Sequence, residues 1–342
     1  MADHLNIITA VSRRQNLKRI DQSIAPIRSA FDVTWYCIYD PRFTTIEQID
    51  RGIPAVHHLG NRGGVGGQLL KNEGLSLVRG GWCWVLDDDN AAHPDFGNAL
   101  LERFPLLGNV ARANRQFLNR VVQHLAKLGV RQFVDIGAGV PTMGSTHQTA
   151  DTVDPTCRVV YIDNDPVAIG HSQALLHEHG DPARHATLPG DLRDPEQLWR
   201  DVRRTGLIDP TQPVALLIIA VLHVQQTDEH GVDVAAEVLA HYRDLLPSGS
   251  YLAISQVTNE GVPEEFAGTL TDIKAMYDQR SSPVVWRSQA DIRAFFGDFE
   301  LIDPGMTWTP LWHPEYPTPG AAVVEFARPS ESVIWAGVGR KP

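Results

Sequence analysis

The sequence has little cysteine: three residues in 342, Cys37, Cys83 and Cys157, widely separated and outside any Cys-x-x-Cys or Cys/His metal spacing. That usage offers no disulfide framework and no zinc module, and it fits a reducing, cytoplasmic compartment. Long apolar runs are also missing. The most apolar stretch, Val214 to Val224, is too short to cross a bilayer, and the opening MADHLNIITAVSRR has neither an apolar signal core nor a small-residue cleavage site. A soluble, unprocessed chain is expected. Basic residues are in deficit, 30 against 41 acidic, for a formal charge of −11. Such a field repels phosphate backbones and anionic lipid, so neither nucleic acid nor membrane is an expected partner. Gly-x-x-x-x-Gly-Lys-Ser/Thr is absent too, which removes a P-loop reading of the glycine-rich stretch Gly60 to Gly67.

What is present suits a folded protein. Hydrophobic residues make up 43% and charged residues 21%, enough to bury sizeable cores. At roughly 100 to 200 residues per domain, the length favours two domains. The oligomeric state is not legible. A β-then-α alternation runs through the chain twice, the pattern of open parallel sheets. The first pass predicts strands at Leu5–Val11, Phe31–Tyr39, Ala55–Leu59 and Trp82–Leu86, with helices at Asn16–Ile27 and Gln68–Val78. The second opens with a helix over Ala111–Leu128, whose Phe117, Leu118, Val121, Leu125 and Leu128 share a face and which Gly129 stops. Strands follow at Gln132–Ile136, Arg158–Ile162, Ala186–Leu188, Val214–Leu222 and Tyr251–Val257, with helices at His147–Val153, Val167–His177, Pro195–Thr205 and Val232–Leu246. Phe299–Asp303 and Ser332–Gly339 close one edge, giving a doubly wound, mostly parallel α/β sheet of seven strands. The Pro- and Gly-bearing stretch Asn90 to Val110 places the boundary near residue 98, so the expected domains are 1–98 and 99–342.

Three features in chain order carry chemistry. The strand QFVDI runs into Gly137-Ala138-Gly139, where glycines permit positive φ and close backbone approach. The next strand ends at Asp163-Asn164, where a carboxylate can take two ribose hydroxyls. The third ends Pro189-Gly190-Asp191-Leu192, where a carboxylate can accept an adenine amino group and the next N–H can meet a ring nitrogen. Either of Asp163 and Asp191 alone reads as a helix or turn cap. The ordered set, with Ala220 at the end of the fourth strand, reads as a nucleoside cofactor site. A third glycine is missing, since Thr142 stands where Gly-x-Gly-x-x-Gly would need it, so the nucleoside carries no pyrophosphate. S-adenosylmethionine is such a ligand, with Asp135 and the Gly137 to Gly139 turn facing its methionine end.

Residues from about 111 to 342 resemble the actinobacterial S-adenosylmethionine-dependent methyltransferase family once catalogued as domain of unknown function 574. The strings that carry the resemblance are ARANRQFLNR, RQFVDIGAGVPT, VVYIDNDPVAI, PGDLRDP, PVALLIIAVLHV, LPSGSYLAIS, a late PGM…W and the terminal AGVGRKP. The resemblance implies a class I methyltransferase fold binding S-adenosylmethionine. Members usually carry Tyr-Asp-Tyr and Gly-Gly-Lys-Asp upstream of the ARANR helix; this chain reads DFGNALLERFPLLGNV there.

Methyl transfer from a sulfonium needs alignment and, for a hydroxyl or amine acceptor, a base. His223, at the end of AVLHV, is placed as that base, or as a histidine packed at a strand end. Asp228 and Glu229 are further candidates. The aromatic segment Pro304 to Gly320 is open to two roles, a wall over a small-molecule acceptor or a connection packed on the sheet.

The first pass ends in Asp87-Asp88-Asp89. Carboxylates two apart can hold Mg2+ or Mn2+ while the metal's open positions take a diphosphate. With Thr9 to Val11 and Asp40 at neighbouring strand ends, the order resembles the nucleotide half of a family 2 type GT-A glycosyltransferase, Asp87 and Asp89 holding the metal beside a nucleotide-sugar. The rival reading is a solvated acidic turn. The expected functions are therefore a methyltransferase acting on an unknown small molecule, a sugar-nucleotide enzyme, or a non-catalytic cofactor-binding module.

Overall fold

The computed structural model describes residues 4–11, 17–24, 32–39, 55–59, 82–85, 104, 106–139, 144–228, 230–278, 284–316 and 324–342. The chain divides into two compact units, one formed by Met1–Pro105 with Val140–Met143 and Pro166–Ala174, the other by Leu106–Gly139, Gly144–Asp165 and Leu175–Pro342.

In the first unit, β1 (His4–Val11), β2 (Asp32–Tyr39), β3 (Val56–Leu59) and β4 (Trp82–Val85) form a sheet in the order β3-β2-β1-β4. Every pairing is parallel. Helix α1 (Leu17–Ile24) follows β1 and buries Leu17 and Ile24. The expected helix at 68–78, the stretch 60–67, Asp40 and the Asp87 to Asp89 run lie outside the described residues.

The second unit begins with α2 (Leu107–Lys127), whose Val110, Ala113, Phe117, Val121, Val122 and Leu125 are buried. Its end is fixed by Gly129 at φ +95°, which lets the Gly129 and Val130 N–H groups return to the Ala126 and Leu125 carbonyls at 3.1 and 3.0 Å. Then come β5 (Gln132–Ile136), α3 (Thr146–Asp151), β6 (Arg158–Asp163), α4 (Pro166–His179), whose residues up to Ala174 group with the first unit, β7 (His185–Pro189), α5 (Pro195–Arg204), β8 (Ala215–Ile219), α6 (Ala235–Leu245) and β9 (Tyr251–Val257). The chain closes with α7 (Glu264–Asp278), α8 (Gln289–Ala294), β10 (Glu300–Leu301), β11 (Thr307–Trp308) and β12 (Ile334–Arg340).

The sheet order is β10-β12-β9-β8-β5-β6-β7, with β11 pairing β12 off that path. Strands β7, β6, β5, β8 and β9 are parallel, and β12 runs antiparallel to β9 and β10. The eighth strand, β11, is an addition to the seven expected. Buried parallel strands feed both faces of the sheet. Val134 and Ile136 of β5 join a core with α5, α6 and α8, while Phe133 joins one with α2 and α3.

Two expected elements are shorter than expected for physical reasons. The strand expected to reach Leu222 stops at Ile219 because Ala220 adopts φ +58°. The helix expected from Val232 starts at Ala235 because Asp228 holds the preceding residues in a loop, accepting the N–H groups of His230 and Val232 at 2.9 and 2.8 Å. The segment 258–298, unassigned from sequence, supplies α7 and α8.

Candidate functional site

The carboxyl ends of adjacent strands β5, β6 and β7 bring the first three acids to one edge of the sheet. Asp135, the penultimate residue of β5, is buried and accepts a 2.6 Å hydrogen bond from the hydroxyl of Thr146, the first residue of α3. Burial pushes its carboxyl up to about 6, with the Thr146 hydrogen bond and the Arg115 charge working against that rise and Asp163 adding to it. The first turn of α3 is itself fastened. The His147 N–H donates to the Tyr161 hydroxyl at 2.8 Å, and Gln148 reaches back to the Ser145 N–H at 3.3 Å.

The glycine turn follows. Gly137 and Gly139 take φ +68° and +62°, conformations that carry a steric cost for other residues. Their surroundings differ. A Cβ at Gly137 would lie 2.4 Å from Val221 Cγ2, so packing against the loop after β8 is enough to require this glycine. At Gly139 nothing lies within 4 Å among the described residues, a space open to a bound group. The Gly137 and Ala138 N–H groups go to the Ile162 carbonyl at 2.8 and 3.2 Å, and the Gly139 N–H to Asp163 Oδ2 at 2.8 Å. With its N–H groups spent, the turn cannot cradle a phosphate, which needs free backbone donors.

Asp163 is half-buried and also accepts the Asp165 N–H at 2.9 Å, with Asn164 exposed beside it. Asp191 holds a forked ion pair with Arg193, which keeps its carboxyl below the ordinary range. Leu192 buries its side chain among the α5 and α6 core residues, and its N–H meets no acceptor among the described residues. A cleft of about 670 Å³ opens beside Asp191, lined by Arg193, Thr227, Val234, Val238 and His241.

Ala220 is held in its left-handed conformation by Ser255, whose carbonyl and hydroxyl accept the Ala220 N–H at 3.2 and 2.9 Å while the hydroxyl donates to Asn114 Oδ1 at 2.7 Å. A non-glycine residue in this region is strained, and such strain clusters at functional sites. His223 follows three residues on. Its Nδ1 is buried with no partner among the described residues, and burial, helped by the Arg287 charge, pulls the imidazole down to about 4. The ring is thus neutral at neutral pH. Residues 284–287 are strapped to this turn: Val284 bridges Val224, the Val285 N–H donates to the His223 carbonyl at 2.8 Å, and Arg287 reaches the Leu222 carbonyl and, at 2.5 Å, Asp233.

A Streptomyces avermitilis protein of the DUF574 family is 34% identical with a TM-score of 0.64, over 80% of this chain and 96% of that one. A Thermobifida fusca protein assigned to the methyltransferases is 33% identical with a TM-score of 0.61, over 74% of this chain and 90% of that one. The S-adenosyl methyltransferase family matches residues 82–342. The chain belongs to that family. It is an S-adenosylmethionine-dependent methyltransferase. No curated protein matches the chain in sequence.

The family match begins ahead of residue 111, where the quoted strings start, so Asp87 and Asp89 fall within the methyltransferase stretch. The comparisons support no glycosyltransferase segment. No group of metal-binding side chains occurs among the described residues, and Asp87 and Asp89 lie outside them. No helix among the described residues is long and apolar enough to cross a membrane.

Several residues packed around these strand ends were not singled out from sequence. Arg115, in the ARANR string, stands close enough to Asp135 for each to perturb the other's ionisation. Thr146, Ser255, Asn114, Arg193 and Arg287 act through partners distant in sequence or hidden in loops, and composition gives no sign of them. Of the weaker base candidates, Asp228 spends a carboxylate oxygen on its own loop, and Glu229 lies outside the described residues. In the aromatic segment, Trp312 is fully buried edge-on against Phe117 and His124, a core role, and Trp308 stacks on Trp335 at 4.3 Å.

Proposed function

We propose that the cofactor lies across the carboxyl ends of β5, β6 and β7. The observation that carries this reading is the alignment of Asp135, Asp163 and Asp191 on three neighbouring parallel strands beside a turn whose N–H groups are spent. Asp135 with Arg115 matches the zwitterionic amino-acid end, ammonium to carboxylate and carboxylate to guanidinium. The Gly137, Ala138 and Gly139 turn passes beneath that end, with Gly139 leaving room for close approach. Asp163 takes the ribose hydroxyls with its remaining lone pairs, beside Asn164. Asp191 and the Leu192 N–H take the adenine edge, and Ala220 borders the reacting centre.

When bound, the cofactor's sulfonium supplies the methyl group. His223 takes the proton from a hydroxyl or amine of a small-molecule acceptor as the new bond to methyl forms. Calorimetric titration of the full chain with S-adenosylmethionine and S-adenosylhomocysteine tests the site: tight binding that is lost in Asp163→Ala supports it, and unchanged binding in that variant overturns it.

A second reading concerns the first unit alone. Its all-parallel order β3-β2-β1-β4 brings the ends of β1, β2 and β4 to one edge, two residues before Asp87, as a GT-A-like nucleotide half would require. On that reading Asp87 and Asp89 hold Mg2+ or Mn2+ against a nucleotide-sugar. Manganese should then tighten nucleoside diphosphate binding, and an Asp87→Ala, Asp89→Ala variant that binds equally well removes the reading.

A further inference from the structure

Arg193 stands two residues beyond Asp191 and grips it as a fork. Its Nε lies 3.0 and 3.1 Å from the two carboxylate oxygens, its Nη2 2.6 Å from Oδ2, and its own backbone N–H donates to Oδ1 at 2.9 Å. The remaining nitrogen, Nη1, donates to the Thr227 carbonyl at 3.1 Å. One side chain therefore joins the loop after β7 to the loop after β8 at the mouth of the cleft beside Asp191.

The second loop is stiff enough to be worth gripping. The Asp228 N–H donates to the Val232 carbonyl at 3.0 Å, the Val234 N–H to the Gln226 carbonyl at 2.8 Å, and Asp233 is held on the far side by Arg287. An ion pair as exposed as Arg193 with Asp191 adds little to folding stability. What the fork does instead is fix the rotation of the carboxylate, because a planar guanidinium accepts few orientations. Three donors, the Arg193 N–H, Nη2 and a single Nε–H shared between both oxygens, meet a carboxylate with about four acceptor sites. One site stays open, aimed by the other three.

We propose that Arg193 determines adenine specificity, aligning the open lone pair of Asp191 on the adenine amino group and tying Thr227 across the base. This rests on the reading of Asp191 as the adenine acid. The probe that isolates it is S-adenosylhomocysteine against its deamino analogue, in which purine replaces adenine and the ring nitrogen facing Leu192 is kept. A charge-assisted hydrogen bond of this kind corresponds to about tenfold or more in affinity. The wild-type full chain should therefore bind S-adenosylhomocysteine about tenfold more tightly than the analogue by calorimetry.

In Arg193→Met the two affinities should come within about threefold, chiefly through weaker binding of the adenosyl compound. A merely structural role would weaken both ligands alike and leave the ratio unmoved. Should that variant not fold, Arg193→Lys, which keeps the charge without the fork, should show the same narrowing. A wild-type ratio retained in both variants, or tighter adenosyl binding without Arg193, overturns the proposal, as does a wild type that binds both ligands equally. Wild-type protein that binds neither ligand overturns the underlying cofactor site as well.

Discussion

The Asp163 carboxylate accepts the Gly139 N–H at 2.8 Å with one oxygen and the Asp165 N–H at 2.9 Å with the other. The acid proposed to take the ribose thus also ties the turn after β5 to the tip of β6. Asp163→Asn keeps one acceptor oxygen but turns the other into a donor facing an N–H. The affinity for S-adenosylmethionine should fall about 10- to 100-fold, the range for a lost hydrogen bond to a charged group. Calorimetry reads the affinity, and thermal unfolding should show a smaller accompanying loss of about 1 kcal/mol.

The two glycines should separate folding from binding. Gly137→Ala forces a Cβ to 2.4 Å from Val221 and should cost about 1–3 kcal/mol by denaturant unfolding, recovered in part by Val221→Ala. Gly139→Ala meets open space, so only its positive φ is penalised, by about 1–2 kcal/mol. That variant should fold and yet bind the cofactor poorly.

Binding should depend on pH through Asp135. Its carboxyl is raised to about 6, so as pH falls through that value it gains a proton and loses its attraction for an ammonium group. Affinity for S-adenosylmethionine should weaken between pH 7 and 5 in the wild type and stay flat in Asp135→Asn. For the unliganded protein the sign is reversed: a carboxyl raised in the folded state contributes stability at low pH that is lost as pH rises from about 4 to about 6.

His223 and His147 act in the opposite direction. Burial is the main cause that pulls both imidazoles down to about 4 from 6.5. Each must stay neutral in the folded state, so each contributes stability that is present above about 6.5 and lost as pH falls towards 4. Urea titrations of His147→Gln across this window should show a shallower acid loss than the wild type. For His223→Gln, turnover should fall about 10²- to 10⁴-fold, the usual contribution of a general base, with cofactor affinity unchanged.

Trp312→Ala should remove a core side chain and cost about 3–5 kcal/mol, without altering cofactor affinity in the folded fraction. Urea unfolding paired with calorimetry distinguishes this from a binding role.

The strand-end acids were legible because buried parallel strands read as apolar runs, and each run here breaks at or beside a carboxylate: QFVDI, RVVYID, HATLPGD. Ala220 was placed at the site but its conformation was not foreseeable, because the left-handed backbone is imposed by Ser255 and Asn114, distant in sequence. A second demand on Gly137 is hidden from sequence for a similar reason. Its glycine answers Val221, a contact that only the folded sheet creates. Arg193 went unnoticed because a charged residue beside an acid in a loop is an ordinary surface pair until its second contact, to Thr227, is seen.

A crystal structure of the full chain with S-adenosylhomocysteine tests the placement of the cofactor most directly. The ribose hydroxyls should lie within about 3.2 Å of Asp163, the adenine amino group at Asp191 and the amino-acid end between Asp135 and Arg115. A nucleoside bound away from the carboxyl ends of β5, β6 and β7, with those carboxylates touching only protein, would contradict the account.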